Sequence, residues 1–101
     1  MTEEKQKEYY GAINSIWKHA KTGDTGALLA IDLAGFIARH LNRTDMSDAA
    51  WQAFSLELQE IADRYQAPRC RIMIDTVAHS LMQTLIKANM EGVSENTNKA
   101  N

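Results

Sequence analysis

Across 101 residues there is one proline, one cysteine and five glycines, and neither charge dominates: 11 Lys and Arg stand against 13 Asp and Glu. Each scarcity excludes something. With so few breakers there is little room for many tight turns or for a disordered, proline-rich chain. A lone cysteine closes no internal disulfide, so a fold of this length must rest on one hydrophobic core, which 101 residues can supply without a structural metal. No stretch approaches the roughly 20 consecutive apolar residues of a membrane helix. The opening segment MTEEKQKEYY is charged where a signal peptide is apolar. The expectation is a cytoplasmic protein with no membrane contact. The triplet Asn42-Arg43-Thr44 fits a glycosylation sequon and, with no secretory route, is read as chance.

Motifs of chemistry are missing too. There is no GxSxG, no GxxxxGK[ST], no GxGxxG, no HExxH and no CxxC. The glycines at 11, 23, 26, 35 and 92 build no phosphate loop, and His19 and His40 have no His or Cys partner at ligand spacing. The chain therefore reads as one with no catalytic residue, no metal and no cofactor. A net charge of −2 gives no global attraction to nucleic acid or anionic lipid.

What is abundant is helix-forming sequence. Tyr9, Ile13, Ile16, Trp17 and Ala20 recur at amphipathic spacing and predict a helix from about Glu3 to Lys21, ended by Thr22 and Gly23. A second helix is capped by Asp24 or Thr25 and carries Leu29, Leu33, Phe36, Ile37 and Leu41 as its main stripe, with Asn42 as a left-handed stop. Ser47 or Asp48 caps a third, whose inward face is Trp51, Phe54, Leu58, Ile61, Ala62 and Tyr65. Pro68 disfavours helix at Ala67 and suits the first turn of a fourth helix, which runs to about Met90. Short connections between four such helices imply antiparallel neighbours. The predicted fold is all-α: a compact four-helix up-down bundle with a long, doubly apolar C-terminal helix. Residues 1–91 form a single helical domain and 92–101 a flexible polar tail.

The fourth helix carries the candidate surfaces. Cys70, Met73, Ile74, Val77, Ala78, Leu81, Leu85 and Ala88 share one face and should be core, the cysteine serving as a small hydrophobe. Ile72, Asp75, His79, Met82, Ile86 and Met90 step by three or four residues along another, like a coiled-coil seam. In an antiparallel bundle that seam faces water unless a partner covers it, which predicts a homodimer through the C-terminal helix. Asp75 and His79 sit four apart in the order that favours a side-chain pair, either a rim salt bridge or a pH-responsive contact. His40, at the C-terminal end of the second helix, is expected to bond an open carbonyl.

Charge is unevenly placed. Between Thr44 and Asp63 lie five acidic residues (Asp45, Asp48, Glu57, Glu60, Asp63) and no basic one, whereas Arg64 to Met90 holds Arg64, Arg69, Arg71 and Lys87 against Asp75. Arg69 and Arg71 oppose the helix dipole in the first turn after Pro68, so local stability does not explain them. With Arg64, Lys18 and Lys21 brought to the same end of an up-down bundle, they form a candidate anion or partner site beside open helix amides. The segment FIARHLNRTDMSDAAWQAF loosely fits helix-turn-helix, but its second helix carries Asp48, Glu57 and Glu60 and would be repelled by the major groove. The reading is a small non-enzymatic binding protein that regulates or inhibits a larger protein of unknown identity. The alternatives are a nucleic-acid-binding accessory protein using Arg64, Arg69 and Arg71, and a subunit of an oligomeric enzyme.

Overall fold

A computed structural model describes residues 2–90; the predicted tail at 92–101 lies outside the described residues. The chain is an all-α bundle of four helices in the expected order: α1 (Glu3–Lys21), α2 (Thr25–His40), α3 (Asp48–Arg64) and α4 (Pro68–Met90). Polar side chains start the first three. Thr2 Oγ1 accepts from the Lys5 amide at 3.2 Å, Asp24 Oδ1 from Ala27 at 2.9 Å and Ser47 Oγ from Ala50 at 3.3 Å, each satisfying a donor the helix itself leaves open. Between α1 and α2 the turn depends on Gly23, whose φ of +84° lets its amide reach Ala20 O and the Asp24 amide reach His19 O.

The expected left-handed stop at Asn42 is not formed. Among the described residues no non-glycine has a positive φ, and Leu41 is still right-handed after α2 ends. The exit is held by side chains instead. Asn89 on α4 donates to the Arg43 and Leu85 carbonyls at 3.1 and 2.8 Å, and Arg43 donates to the Ala50 carbonyl at 3.2 Å.

The core lies among α2, α3 and α4. Leu29, Leu33 and Phe36 of α2 meet Phe54 and Ile61 of α3 and Cys70, Ile74, Leu81 and Leu85 of α4; Phe36, Ile74 and Leu85 are wholly enclosed. Burial of a side chain of that size contributes about 1.5–3 kcal/mol. Trp51, Leu58 and Tyr65, expected inside, are half-buried at the core's margin. Met73 departs from its expected place and is half exposed, because the buried face of α4 is narrower than the apolar one.

α1 stands apart. It packs on α2 alone, against the side opposite the core, and none of its 19 residues is buried. The molecule is accordingly flat, with principal extents of 42 × 38 × 18 Å.

Candidate functional site

α2 explains the flatness. Beyond Thr25 its polar side chains are Asp32, Arg39 and His40, and all three are engaged on the core side. The rest is apolar around the helix, a pattern that belongs to an element covered on every side. α1 covers only part of the back. Alanines at 30 and 34 stay exposed and floor a groove of about 250 Å³, lined by Tyr9, Ile13, Ile16 and Trp17 from α1 with Ala30, Ile31 and Ala34 from α2. Tyr9, Tyr10 and Trp17 are 57, 60 and 53% exposed, Ile16 and Leu28 more than a third. Aromatic side chains carry about 150–250 Å² each, so these three leave roughly 350 Å² of ring in water, the scale of a functional patch.

The predicted α4 seam is more broken. Ile72 and Met90 are strongly exposed and Ile86 more than a third, while Met82 is half-buried against the core. Exposed Asp75 and His79 stand between Ile72 and Ile86, with no ion pair between the two among the described residues.

The predicted basic cluster is divided. Arg64 Nη1 lies 3.3 Å from Asp32 Oδ2, and the Tyr65 hydroxyl donates to the same oxygen at 2.6 Å, fastening the end of α3 to the middle of α2. Burial, reinforced by that hydrogen bond, pushes the Tyr65 phenol up to about 12. Arg69 and Arg71 are exposed and make no ion pair among the described residues, and Lys18 and Lys21 are exposed at the end of α1.

One cluster not foreseen from the sequence has the makings of a catalytic pair. His40 is buried, 6% exposed, with Nε2 3.2 Å from Glu57 Oε1. Its Nδ1 is 3.0 Å from Arg43 Nη1, not against a carbonyl as expected. A guanidinium can only donate, so Nδ1 accepts and Nε2 carries the hydrogen given to Glu57. Both ring nitrogens are thus occupied, leaving neither proton nor lone pair for a substrate. Glu57 also receives Arg39 Nε at 2.7 Å and Nη2 at 2.6 Å. Burial pushes the Glu57 carboxyl upward, and the hydrogen bonds from Arg39 and His40 outweigh it, holding the group below its ordinary value. Nε and Nη2 of Arg43 have no hydrogen-bond partner among the described residues, but the guanidinium lies 4.9 Å from the Trp51 ring centroid, where the aromatic face offsets part of their desolvation. The cluster is a fastening between α2, the loop at 41–47 and α3.

Among the described residues no three His, Cys, Asp or Glu side chains gather as a metal site requires, and no helix is long and apolar enough to cross a membrane. Compared with protein-family models, with curated proteins and with solved structures, the chain matches none.

Proposed function

We propose that this chain is a small non-enzymatic helical binding protein that regulates or inhibits a larger protein, and that its binding surface is the apolar face shared by α1 and α2. One observation carries the reading: a 19-residue amphipathic helix with two tyrosines, two isoleucines and a tryptophan buries none of them. Leaving that much apolar surface in water is unfavourable, and such patches on small proteins mark interaction sites. The α1–α2 face is preferred to the α4 seam as the main contact because it is continuous and concave. A reducing, cytoplasmic setting is consistent with the lone Cys70 thiol, which is buried among core side chains. Nucleic-acid binding ranks lower, since Arg64 is committed to Asp32.

The test compares wild type with a Tyr9→Glu, Trp17→Glu double variant. Both positions are more than half exposed, so helicity should survive while proteins that co-purify from the native host are lost. Retention of every co-purifying protein by the folded double variant refutes the assignment. A wild type that captures nothing and does not self-associate refutes the binding reading itself.

A further inference from the structure

His40 is the one buried polar side chain among the described residues, and its two nitrogens do opposite work. Nε2 gives its hydrogen to Glu57 Oε1 at 3.2 Å, and Nδ1 takes one from Arg43 Nη1 at 3.0 Å. A proton added to the neutral ring can enter only at Nδ1, the nitrogen with a free lone pair. It turns the first contact into a charge-assisted pair and abolishes the second, because two N–H groups then point at each other and both side chains are cations.

What holds each partner decides which one gives way. Glu57 is fixed by Arg39, whose Nε and Nη2 reach Oε2 at 2.7 and 2.6 Å, and Arg39 lies close against α2 at Gly35, where a Cβ would come within 2.8 Å of its Nη1. Arg43 is held less well. Besides His40 it has the Ala50 carbonyl at 3.2 Å and the Trp51 and Phe54 rings, 4.9 and 5.9 Å from its guanidinium carbon, while its buried Nε and Nη2 have no hydrogen-bond partner among the described residues. Water would satisfy both, so the His40 bond restrains a side chain that gains by leaving. No other charge holds it back. Asp45 of the same loop accepts from the Ser47 amide at 2.9 Å, α4 brings uncharged Asn89 to the Arg43 carbonyl, and α1 lies across α2 from the core.

We infer that His40 is the proton sensor of a latch: the neutral ring keeps Arg43 folded against Trp51 and Phe54 and closes the loop at 41–47, and the protonated ring, retained by Glu57, expels the guanidinium and bares the Trp51 face. The ordinary titration of histidine falls between about pH 5 and 8. Glu57 is held below its ordinary 4.5, so it still carries its charge while the latch opens. His19 and His79 are exposed, and neither ring bonds an arginine among the described residues. The latch is independent of what the α1–α2 face binds.

NMR of the labelled chain between about pH 8 and 5 tests it. At the upper end the Arg43 Cδ protons should be displaced by the Trp51 ring current and show NOEs to that ring. On acidification both signatures should be lost with the same midpoint as the His40 Cε1 proton, while helicity is unchanged. His40→Gln, which gains no proton, should leave the Arg43 signals independent of pH, and His79→Gln should behave as wild type. Should His40→Gln fail to fold, the midpoints in wild type and in His79→Gln decide. A His40 ring that titrates while Arg43 keeps its NOEs, or one that stays neutral down to about pH 5, overturns the inference. So does release of Arg43 that persists in folded His40→Gln, or release that occurs only as helicity is lost.

Discussion

α1 and α4 are both amphipathic helices at the edge of the molecule, yet α4 buries Cys70, Ile74, Ala78, Leu81 and Leu85 whereas α1 buries nothing. The difference lies in their neighbours. α4 rests in the cleft between α2 and α3, and a cleft encloses a side chain from two directions; α1 rests on one cylinder, which shields only the line of contact. An apolar stripe becomes core when two helices face it and surface when one does. The sharpest way to break this comparison is to truncate one ring on each side of α2. Phe36→Ala, which removes a wholly enclosed ring tilted against that of Phe54 with 4.9 Å between centroids, should cost about 3–5 kcal/mol in urea unfolding. Trp17→Ala, measured at a concentration where the chain is monomeric, should cost under about 1 kcal/mol. Comparable losses would mean that α1 belongs to the core after all.

The next largest effect lies at Glu57. Glu57→Ala leaves the buried His40 N–H without its acceptor and should cost about 1–3 kcal/mol. It should also change the response to acid. Because the folded Glu57 carboxyl is held below its ordinary value of 4.5, it contributes stability that is present above that pH and is lost as pH falls through the lower, folded value. The urea midpoint of wild type should therefore drop on acidification below about 4.5, and that of the variant should drop less. Parallel curves would remove Glu57 from the fastening.

Much of this was legible beforehand, for identifiable reasons. Caps are local: Asp24 and Ser47 do what their positions promise, and Pro68 opens α4. Apolar period is local too, so the buried residues of α2, α3 and α4 fall on the expected stripes. The course of the chain after α2 was not legible, because it depends on Arg43 meeting Trp51 and Asn89 reaching back across 46 positions. The groove was missed for a related reason. Periodicity marked the apolar face of α1 but not how many helices would cover it, although the near-absence of polar residues around α2 was a signal that both of its sides needed cover. Sequence alone places Arg64 at a shared basic end because its acceptor, Asp32, is 32 positions away in the middle of another helix.

A smaller effect compares the fastening at Tyr65 with that at Glu57. The phenol titrates near 10 in an unfolded chain and about 12 in the folded one. A proton held more tightly in the folded state contributes stability that is complete below pH 10 and lost as pH rises toward 12. Tyr65→Phe should flatten that alkaline loss and, because it removes the 2.6 Å hydrogen bond to the Asp32 carboxylate, lower stability at neutral pH by about 1 kcal/mol. An unchanged alkaline slope would show that the Asp32 contact opens before the phenol ionises.

The smallest effect separates the end of α3 from the start of α4. Arg64 stands in the last turn of α3, where a cation is favoured by the helix dipole and Asp32 receives it; Arg69 and Arg71 stand in the first turn of α4, where the same charge is disfavoured and neither forms an ion pair among the described residues. Replacing Arg69 and Arg71 together with Gln should leave stability unchanged or raise it by a few tenths of a kcal/mol, whereas Arg64→Gln should lower it by about 0.5 kcal/mol. Salt refines the contrast. About 1 M salt shortens the screening length to about 3 Å, so both differences should shrink toward zero. If the double variant instead loses stability, and that loss is largest at low salt, the two arginines are engaged in attractive pairs and the asymmetry between the two helix ends does not hold.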